Sequence, residues 1–492
     1  MAQSMRISES NPNCPNAAAV PLHALELLEL ASLIARRDIS PVTATDLTLD
    51  RIGTCDGQLA SFVHVAAAAA RADAAAAERE ILAGSYRGPL HGIPIAVKDM
   101  FAVAGLATGA GMTIHAGREA VEDSTVVARL KAAGAIVIGT LQMTEGAYSD
   151  HHPAITPPKN PWAHDHWPGI SSSGPAVAVA AGLSFGTIGS DTGGSIRWPS
   201  AANGLTGLKP SWGRVSRHGV FPLAPTLDHV GPIARSAADA AVLLAAIAGA
   251  DPADPTCRHA PVPAPPPEPP RSLAGMRLGV DPAWNTAGVD PMVQQVLGDA
   301  LAVFGSLGAD VVDIAFPDVD EAVADWSPLC AVEAAVAHAE FYPSRARDYG
   351  PVLSGVVEAG LQVLGTALHA IRLRRRAFAG RVAALHGAVD LILTPVHPFP
   401  PLSLATIRSL GEQPALIAAL QRYTCPFNMT GQPTLTLPGG FSADGLPLAF
   451  QLVGPDLGEA ALIAAGMAFQ AATDWHRRRP SPTMPPDRSR RQ

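Results

Sequence analysis

Hydrophobic positions in the first part of the chain follow a helical spacing and then change to the spacing of strands. Residues 22–38 carry leucines at helical intervals and end on basic residues, which is typical of an amphipathic helix. Residues 41–80 predict two more helices, the second very rich in alanine. From about residue 89, short β-branched runs alternate with helical segments, with strands at 93–97, 135–140 and 183–191 and helices at 123–133 and 175–182. This alternation predicts an α/β sheet with parallel stretches.

A proline-rich segment interrupts the pattern in the middle of the chain. Residues 251–272 contain PVPAPPPEPP, which cannot lie inside a helix or strand and predicts an extended surface linker. The pattern then resumes, with strands at 276–280, 309–316, 391–396 and 446–454, a mostly helical stretch at 318–387 and a closing helix at 458–475. Because strands resume after the linker, the pattern favours one large domain with an excursion over two separate domains.

Composition indicates a globular protein and argues against several classes of partner. Hydrophobic residues make up 48% of the chain and charged residues 16%, which is typical of a protein with an ample core. A net charge of −8 gives no attraction to phosphate backbones, so we expect no nucleic-acid partner. The five cysteines lack C-x-x-C spacing, which argues against a disulfide framework or a structural zinc site. Since we find neither a secretory h-region nor an unbroken apolar run of membrane-spanning length, we expect a cytoplasmic protein without a membrane partner.

A glycine-serine turn, GSDTGGSIR at 189–197, is the first candidate for chemistry. Gly193 and Gly194 precede Ser195, and two glycines allow successive N–H groups to point into one concavity. An acyl-transfer enzyme needs such a concavity for the oxyanion that forms when a carbonyl is attacked, and Ser195 would project into it as the nucleophile. A tight turn without chemistry, or an anion-binding nest, is the structural alternative.

A serine loop, PGISSSGP at 168–175, precedes a helix of small residues. One interpretation is that its serines cap the start of that helix. A phosphate-binding loop is disfavoured because no G-x-x-x-x-G-K-[ST] motif is present. The functional interpretation makes Ser171 a proton relay between a base and the nucleophile.

Lys98 ends the apolar run of GIPIAVKD at 92–99. Many lysines at strand ends keep their ammonium group in water, which is the structural interpretation. If the apolar flanks desolvate the amine instead, its pKa falls and the neutral amine can accept a proton.

Histidines are the rival candidates for a base or a metal site, and the segment upstream of the serine loop carries His151, His152, His164 and His166. We expect no metal there, because the segment is proline-rich and H-E-x-x-H is absent. No G-x-S-x-G elbow surrounds the serines, which argues against a Ser-His-Asp hydrolase.

With these motifs the sequence resembles the amidase signature family of serine hydrolases. The most specific stretch is 189–236, and the similarity extends from the N-terminal helices to TDWHRRRP at 473–480. The resemblance implies a catalytic triad of Lys98, Ser171 and Ser195, in which Ser171 follows a cis peptide bond. The family separates the two serines by 24 positions, as this chain does.

The resemblance also implies roles for residues around the triad. The oxyanion hole falls on the backbone N–H groups of Thr192, Gly193, Gly194 and Ser195. Supporting positions fall on Ser172, Asp191 and Arg197. Neither a metal nor an organic cofactor is implied.

The fold implied by the resemblance is a single large α/β domain with a central mixed β-sheet covered by helices on both faces. Within a domain at 22–480 we expect four parts, namely a helical N-terminal part at 22–85, a catalytic core at 86–250, the linker at 251–272 and a helical excursion lining the substrate pocket at about 318–387. Residues 1–21 are predicted to be disordered or extended, and 481–492 to form a basic tail.

Two residues depart from the family's G-G-S-S-[GS]-G-S loop. Ile170 stands in place of the second glycine, and Pro175 in place of the last serine. Proline suits the first turn of the following helix. A β-branched residue restricts the backbone before Ser171. We therefore expect Ile170 either to alter the presentation of Ser171 or to narrow the substrate pocket.

The predicted activity is hydrolysis of the carbon–nitrogen bond of a small-molecule amide through an acyl-Ser195 intermediate. Three alternatives use the same residues: a carbamate or ester hydrolase, the amidase component of a tRNA-dependent amidotransferase, and a catalytically retired binding protein with Ile170 as the lesion. Substrate choice is expected to lie in 318–387 and around 142–150. The oligomeric state is left open, with a homodimer as one expectation.

Overall fold

The computed structural model describes residues 20–262 and 264–481. The predicted disordered or extended segment 1–21 lies outside the described residues except for its last two, and the predicted basic tail 481–492 except for its first. Residues 251–262 and 264–272 contain no helix or strand, in keeping with their prolines.

A single mixed sheet contains the eleven strands of the described residues. In chain order they are β1 (Phe62–Val65), β2 (Pro94–Lys98), β3 (Ile136–Leu141), β4 (Thr187–Asp191), β5 (Thr206–Lys209), β6 (His229–Ala234), β7 (Arg277–Val280), β8 (Asp310–Asp313), β9 (Leu391–Pro395), β10 (Thr434–Phe441) and β11 (Pro447–Val453). Their order across the sheet is β1-β3-β2-β4-β6-β5-β10-β11-β9-β7-β8. β2 runs parallel to β3 and β4, and β7 runs parallel to β8 and β9, whereas the other neighbours are antiparallel. The predicted mixed sheet is therefore confirmed.

Fifteen α-helices lie in the described part of the chain. They are α1 (Leu27–Ala35), α2 (Pro41–Leu59), α3 (Ala67–Leu82), α4 (Thr125–Ala132), α5 (Ser173–Ala180), α6 (Arg197–Asn203), α7 (Ala237–Ile247), α8 (Pro291–Ser306), α9 (Asp320–Ala337), α10 (Pro351–Leu361), α11 (Gly365–Leu385), α12 (Leu404–Arg408), α13 (Pro414–Gln421), α14 (Cys425–Thr430) and α15 (Glu459–Ala472). No single helix among these residues is both long and apolar enough to cross a membrane. α10 and α11 reach that length and composition only as a pair, bent by 98° at their junction.

Side-chain alternation in the central strands places helices on both faces of the sheet. Ile95 and Val97 of β2 belong to a core shared with α1, α4 and α7. Ala96, between them, belongs to a second core shared with α2, α3 and α5. Because successive strand residues point to opposite faces, the two cores lie on opposite sides of the sheet, as the resemblance implied.

Local signals explain where several helices begin. Ser40 caps α2 by accepting a hydrogen bond from the Thr43 backbone N–H, and Pro41 occupies the first helical position. Asp290 and Pro291 repeat this arrangement at the start of α8. A short polar side chain followed by proline satisfies one free N–H group and leaves another position without one.

The structure differs from the predicted elements in four strands that the pattern missed, β1, β5, β6 and β10. β1 is a partly exposed four-residue strand between two helices, so its signal merged with theirs. β10 contains Pro438 and two glycines and carries a register shift there, which a pattern of apolar residues does not reveal. The predicted helix at 22–38 is shorter, since α1 starts at Leu27 after a 3₁₀ turn at Leu22–Ala24.

The carboxyl ends of β2 and β4 bring two sequence motifs to the same edge of the sheet. The two strands are parallel neighbours, with Val97 opposite Ile188. β2 ends at Lys98 and β4 at Asp191. The predicted strand at 183–191 ends where β4 ends, at Asp191, although it starts four residues before β4 does.

Candidate active site

Lys98 is a buried lysine held between two serine hydroxyls. Its side chain is fully buried. The Nζ atom donates to Ser171 Oγ over 2.7 Å and to Ser190 Oγ over 2.8 Å. The interpretation of Lys98 as a strand-end lysine with its ammonium in water is therefore wrong.

Burial sets the protonation of Lys98. Desolvation lowers the pKa of the amine from 10.5 to about 7, although the carboxylates of Asp191 and Asp228 act in the opposite direction. A neutral fraction is therefore available near neutral pH, which is the condition for a lysine to accept a proton.

The serine loop connects the lysine to the glycine-serine turn. The cis peptide bond before Ser171 is present, between Ile170 and Ser171. The backbone N–H of Ser172 donates to the carbonyl oxygen of Ser195 over 3.3 Å, and the Ser172 hydroxyl donates to the carbonyl of Ser190 over 3.3 Å. Ser172 precedes α5, but its side chain makes no capping bond. The loop is thus fixed to the end of β4 by Ser172.

The predicted substrate region around 142–150 also borders this loop. The N–H of Thr144 donates to the carbonyl of Ser171 over 3.3 Å, and the N–H of Gly174 donates to the carbonyl of Gln142 over 2.9 Å. Pro175 lies in the first turn of α5, as predicted.

Two tryptophans explain why the turn between β4 and α6 needs glycines. A Cβ atom on Gly193 would lie 2.6 Å from the Trp326 ring, and one on Gly194 would lie 2.5 Å from the Trp198 ring. Gly194 also has φ of 145°, a conformation that favours glycine. Ser195 follows them and is 7% exposed. The turn is therefore packed between two aromatic rings, and Ser195 at its end is largely buried.

A buried ion pair between Asp191 and Arg197 holds the same turn in place. Arg197 Nη2 donates to Asp191 Oδ1 over 2.8 Å, and Arg197 Nε donates to Asp191 Oδ2 over 3.0 Å, with both side chains fully buried. Asp191 Oδ2 also accepts the backbone N–H of Ile196 over 3.0 Å. Burial alone would raise the pKa of Asp191, but Arg197 outweighs it and holds the pKa below its ordinary value. The carboxylate thus remains charged and anchors the backbone that follows Ser195.

Four residues of this site were missed by sequence reasoning: Ser190, Asp228, Trp326 and Asn428. Thr192 Oγ1 donates to Asp228 Oδ1 over 2.6 Å, and Trp326 Nε1 donates to the carbonyl of Thr192 over 2.8 Å. Ser190 was the one within reach of sequence reasoning, because the predicted strand at 183–191 contains it and successive strand residues such as Ser190 and Asp191 point to opposite faces. The others lie far along the chain and carry no local signal.

Asn428 braces the ion pair from α14. Its Nδ2 donates to the carbonyl of Asp191 over 3.0 Å and to Asp191 Oδ1 over 2.9 Å, while its Oδ1 accepts Arg197 Nη2 over 2.6 Å. All three side chains are fully buried. Asn428 therefore satisfies both partners of the ion pair.

We expect Asn428→Ala to lower the free energy of unfolding by about 1–3 kcal/mol, because buried polar groups of Asp191 and Arg197 lose their partner. We also expect kcat to fall, since the turn that carries Ser195 loosens. Asn285→Ala is the matched control, since buried Asn285 donates to the carbonyl of Leu393, away from this turn. Thermal unfolding should show a loss for both variants, and amide hydrolysis a loss for Asn428→Ala alone. An equal loss of kcat in the control would contradict the assignment.

The histidines considered as alternative bases or metal ligands include one residue that contacts the serine loop, His151. His151 Nε2 lies 3.1 Å from Ser173 Oγ, and burial lowers the pKa of His151 to about 4. His166 Nδ1 lies 2.9 Å from Asp165 Oδ1. Over residues 20–262 and 264–481, no group of three or more His, Cys, Asp or Glu side chains converges in a way that could hold a metal ion.

Comparisons with known proteins show which proteins this chain is similar to. A family model described as Amidase matches residues 43–463. The AmiD protein of Mycobacterium tuberculosis, which is named as an amidase, is 45% identical over 460 residues, covering 93% of this chain and 96% of that protein. A glutamyl-tRNA(Gln) amidotransferase component of Geobacter sp. (strain M21) is 34% identical, covering 92% and 98%. The structure of a bacterial aryl acylamidase of the amidase signature family matches with a TM-score of 0.82 at 26% identity, covering 93% and 98%.

Fold and sequence similarity together define a hydrolase that acts on the carbon–nitrogen bond of amides. The chain belongs to the amidase signature family. The predicted family, fold class and type of reaction are thereby confirmed.

Proposed function

We propose that the protein hydrolyses a small-molecule amide with Ser195 as nucleophile, Lys98 as base and Ser171 as the proton relay between them. The observation that carries this proposal is the fully buried Lys98 amine, 2.7 Å from the Ser171 hydroxyl, at the edge where the turn of Ser195 also lies. A buried neutral amine bonded to a hydroxyl can draw a proton from it.

Acylation would proceed by the concerted transfer of two protons. Ser195 loses its proton to Ser171 as its oxygen attacks the amide carbonyl, and Ser171 passes its own proton to Lys98. The backbone N–H groups of residues 192–195 bind the oxyanion; loss of one such donor costs about 10²–10³ in rate. The proton returns along the same path to the leaving nitrogen, which departs as ammonia or an amine. Water then attacks the acyl-Ser195 ester and releases the acid.

Apolar residues next to the serine loop support an apolar acyl group in the substrate. Half-buried Ile170 packs against a cluster that contains Trp167, Trp198 and Leu420. Trp198 is the ring that approaches Gly194 of the turn. We infer that Ile170 and Trp198 form a wall beside the acyl group of the substrate.

We expect Ile170→Gly, which restores the family's usual residue, to raise kcat/KM for amides with bulky acyl groups relative to short ones by about 10–100-fold. An apolar side chain of this size in a pocket discriminates by about 1–3 kcal/mol. Ile170→Val should give an intermediate ratio. The measurement is kcat/KM across a series of acyl chain lengths. An unchanged ratio in both variants would show that Ile170 does not border the pocket.

Carbamates and esters remain competing substrates, because the same residues serve them. Hydrolysis of matched amide, carbamate and ester substrates that share one acyl group separates the three. For each substrate, kcat/KM is divided by the rate of its uncatalysed hydrolysis. The proposal requires this ratio to be at least as high for the amide as for the carbamate and the ester.

Similarity to amidotransferase proteins supports a second candidate function, that of an amidotransferase component. At 34% identity over 92% of the chain, the Geobacter protein is part of an enzyme named for glutamyl-tRNA(Gln). This candidate predicts glutaminase activity and a stable complex with a second protein. The higher identity to AmiD, 45%, favours the amidase. Glutaminase assay of the purified chain decides between them.

A further inference from the structure

A cleft of about 260 Å³ reaches the lysine site from the side of Ser190. Its inner wall is mostly apolar and includes Met100, Phe221 and Val230, and Ser190 and Asp228 also belong to its lining. Neither Ser171 nor Ser195 lines it. Lys98 Nζ donates to the hydroxyls of both Ser171 and Ser190. The serine loop therefore contacts the lysine through Ser171, whereas the cleft lining contacts it through Ser190.

The carboxylates near Lys98 already have hydrogen-bond partners, so Ser190 is the residue that connects the lysine to the cleft. Asp228 is occupied, since its carboxylate accepts Thr192 Oγ1 and the backbone N–H groups of Leu223 and Ala224. Asp191 is occupied by Arg197 and Asn428. The remaining charged or titratable groups of the cleft lining are Arg217, His218 and Asp254, on the segments before and after β6.

A buried base must exchange protons with solvent to remain in equilibrium with it. During acylation the substrate occupies the Ser195 side, and Ser171 is engaged in the transfer. A hydroxyl can accept one hydrogen bond and donate another at the same time. Ser190 has this capacity, because its oxygen accepts from Lys98 and the residue is also part of the cleft lining.

We propose that Ser190 positions Lys98 and carries protons between its Nζ atom and water in this cleft. The proposal rests on the proposed role of Lys98 as base. In the resting enzyme the Lys98 ammonium gives one proton to Ser190 Oγ, and the Ser190 hydroxyl gives its own proton to a water molecule. One N–H bond breaks and one O–H bond forms at Ser190, a second O–H bond breaks, and hydronium leaves through the cleft.

Ser190→Ala and Ser190→Thr test the role of the hydroxyl. Alanine removes an acceptor for the ammonium, which destabilises the charged form. We expect the ascending limb of the kcat/KM–pH profile to move to lower pH and kcat to fall about tenfold at unchanged KM. Threonine keeps the hydroxyl and should restore both. If the ascending limb of the kcat/KM–pH profile of Ser190→Ala lies at the wild-type pH, the role of Ser190 is overturned. This outcome is distinct from failure of the proposed function, which requires Lys98→Met to be inactive.

Val220→Trp tests the cleft as the route. Val220 is a half-buried residue of the cleft lining at the edge of the core, so we expect the larger ring to extend into the cleft. We expect a loss of kcat at unchanged KM and unchanged thermal stability. Val121→Trp is the control, because Val121 is 97% exposed and not part of the cleft lining. Wild-type kcat in Val220→Trp would overturn the route through the cleft.

Discussion

Replacement of Ser195 by alanine is expected to lower kcat for amide hydrolysis by about 10⁶-fold, the loss seen when a serine hydrolase loses its nucleophile. The substitution removes a single oxygen from a residue that is 7% exposed, and no hydrogen bond of the fold depends on that oxygen among those described. We therefore expect a thermal unfolding midpoint close to that of the wild type. The measurement is initial-rate hydrolysis of an amide, together with labelling by a fluorophosphonate probe.

The control for this variant is a buried serine just before the strand that leads to the turn. Ser184 is 1% exposed and donates to the carbonyl of Gly186, where β4 is about to begin. Ser184→Ala should retain probe labelling and activity, whereas Ser195→Ala should lose both. Turnover by Ser195→Ala near the wild-type level would contradict the covalent mechanism through Ser195.

The fold was predictable where burial leaves a continuous apolar signature. β2 and β3 are fully buried and were predicted within one residue at each end. β10 was missed because Pro438 and Gly439 resemble a turn. In the structure, a Cβ atom on Gly439 would lie 2.7 Å from Val296 of α8 and 2.9 Å from Phe450 of β11. The glycine therefore permits close packing instead of breaking the strand, and such a reason is visible only once the partners are in place.

The candidate site was predictable where one short motif carries several residues. The turn at 189–197 identified Asp191, Gly193, Gly194, Ser195 and Arg197 together. Trp326 and Asn428 contact the same turn from 134 and 237 positions away along the chain. Their contacts result from the packing of α9 and α14, and neither residue type has a periodicity that points to a partner. Ser190 was missed for a different reason, since it lies inside the predicted strand at 183–191, and a serine inside a strand carries no signal of the group that it faces.

Replacement of Lys98 by methionine is expected to lower kcat by about 10⁴-fold, the upper range for loss of a general base. In the wild type, kcat/KM should rise with pH through about 7, because the lysine must be neutral to accept a proton. Methionine removes this ascending limb together with the activity. A Lys98→Met variant of near-wild-type activity, or a wild-type profile without the limb, would contradict the role of Lys98.

The same variant is expected to gain stability at neutral pH, which separates its catalytic defect from misfolding. The Lys98 pKa is about 7 in the folded chain against an ordinary value of 10.5. Below pH 7 the amine is charged in both states, and the folded protein bears the full cost of its burial. Between pH 7 and 10.5 the unfolded chain binds more protons than the folded one, so wild-type stability rises with pH. Methionine does not titrate, so the side chain at position 98 of Lys98→Met contributes no pH dependence to stability.

We therefore expect the unfolding midpoint of Lys98→Met to exceed that of the wild type most clearly at about pH 6, with the difference narrowing towards about pH 10. The loss of the Ser171 and Ser190 hydrogen bonds reduces this gain equally at every pH. A difference that stays constant from about pH 6 to about pH 10 would mean that the buried amine is not the group that titrates.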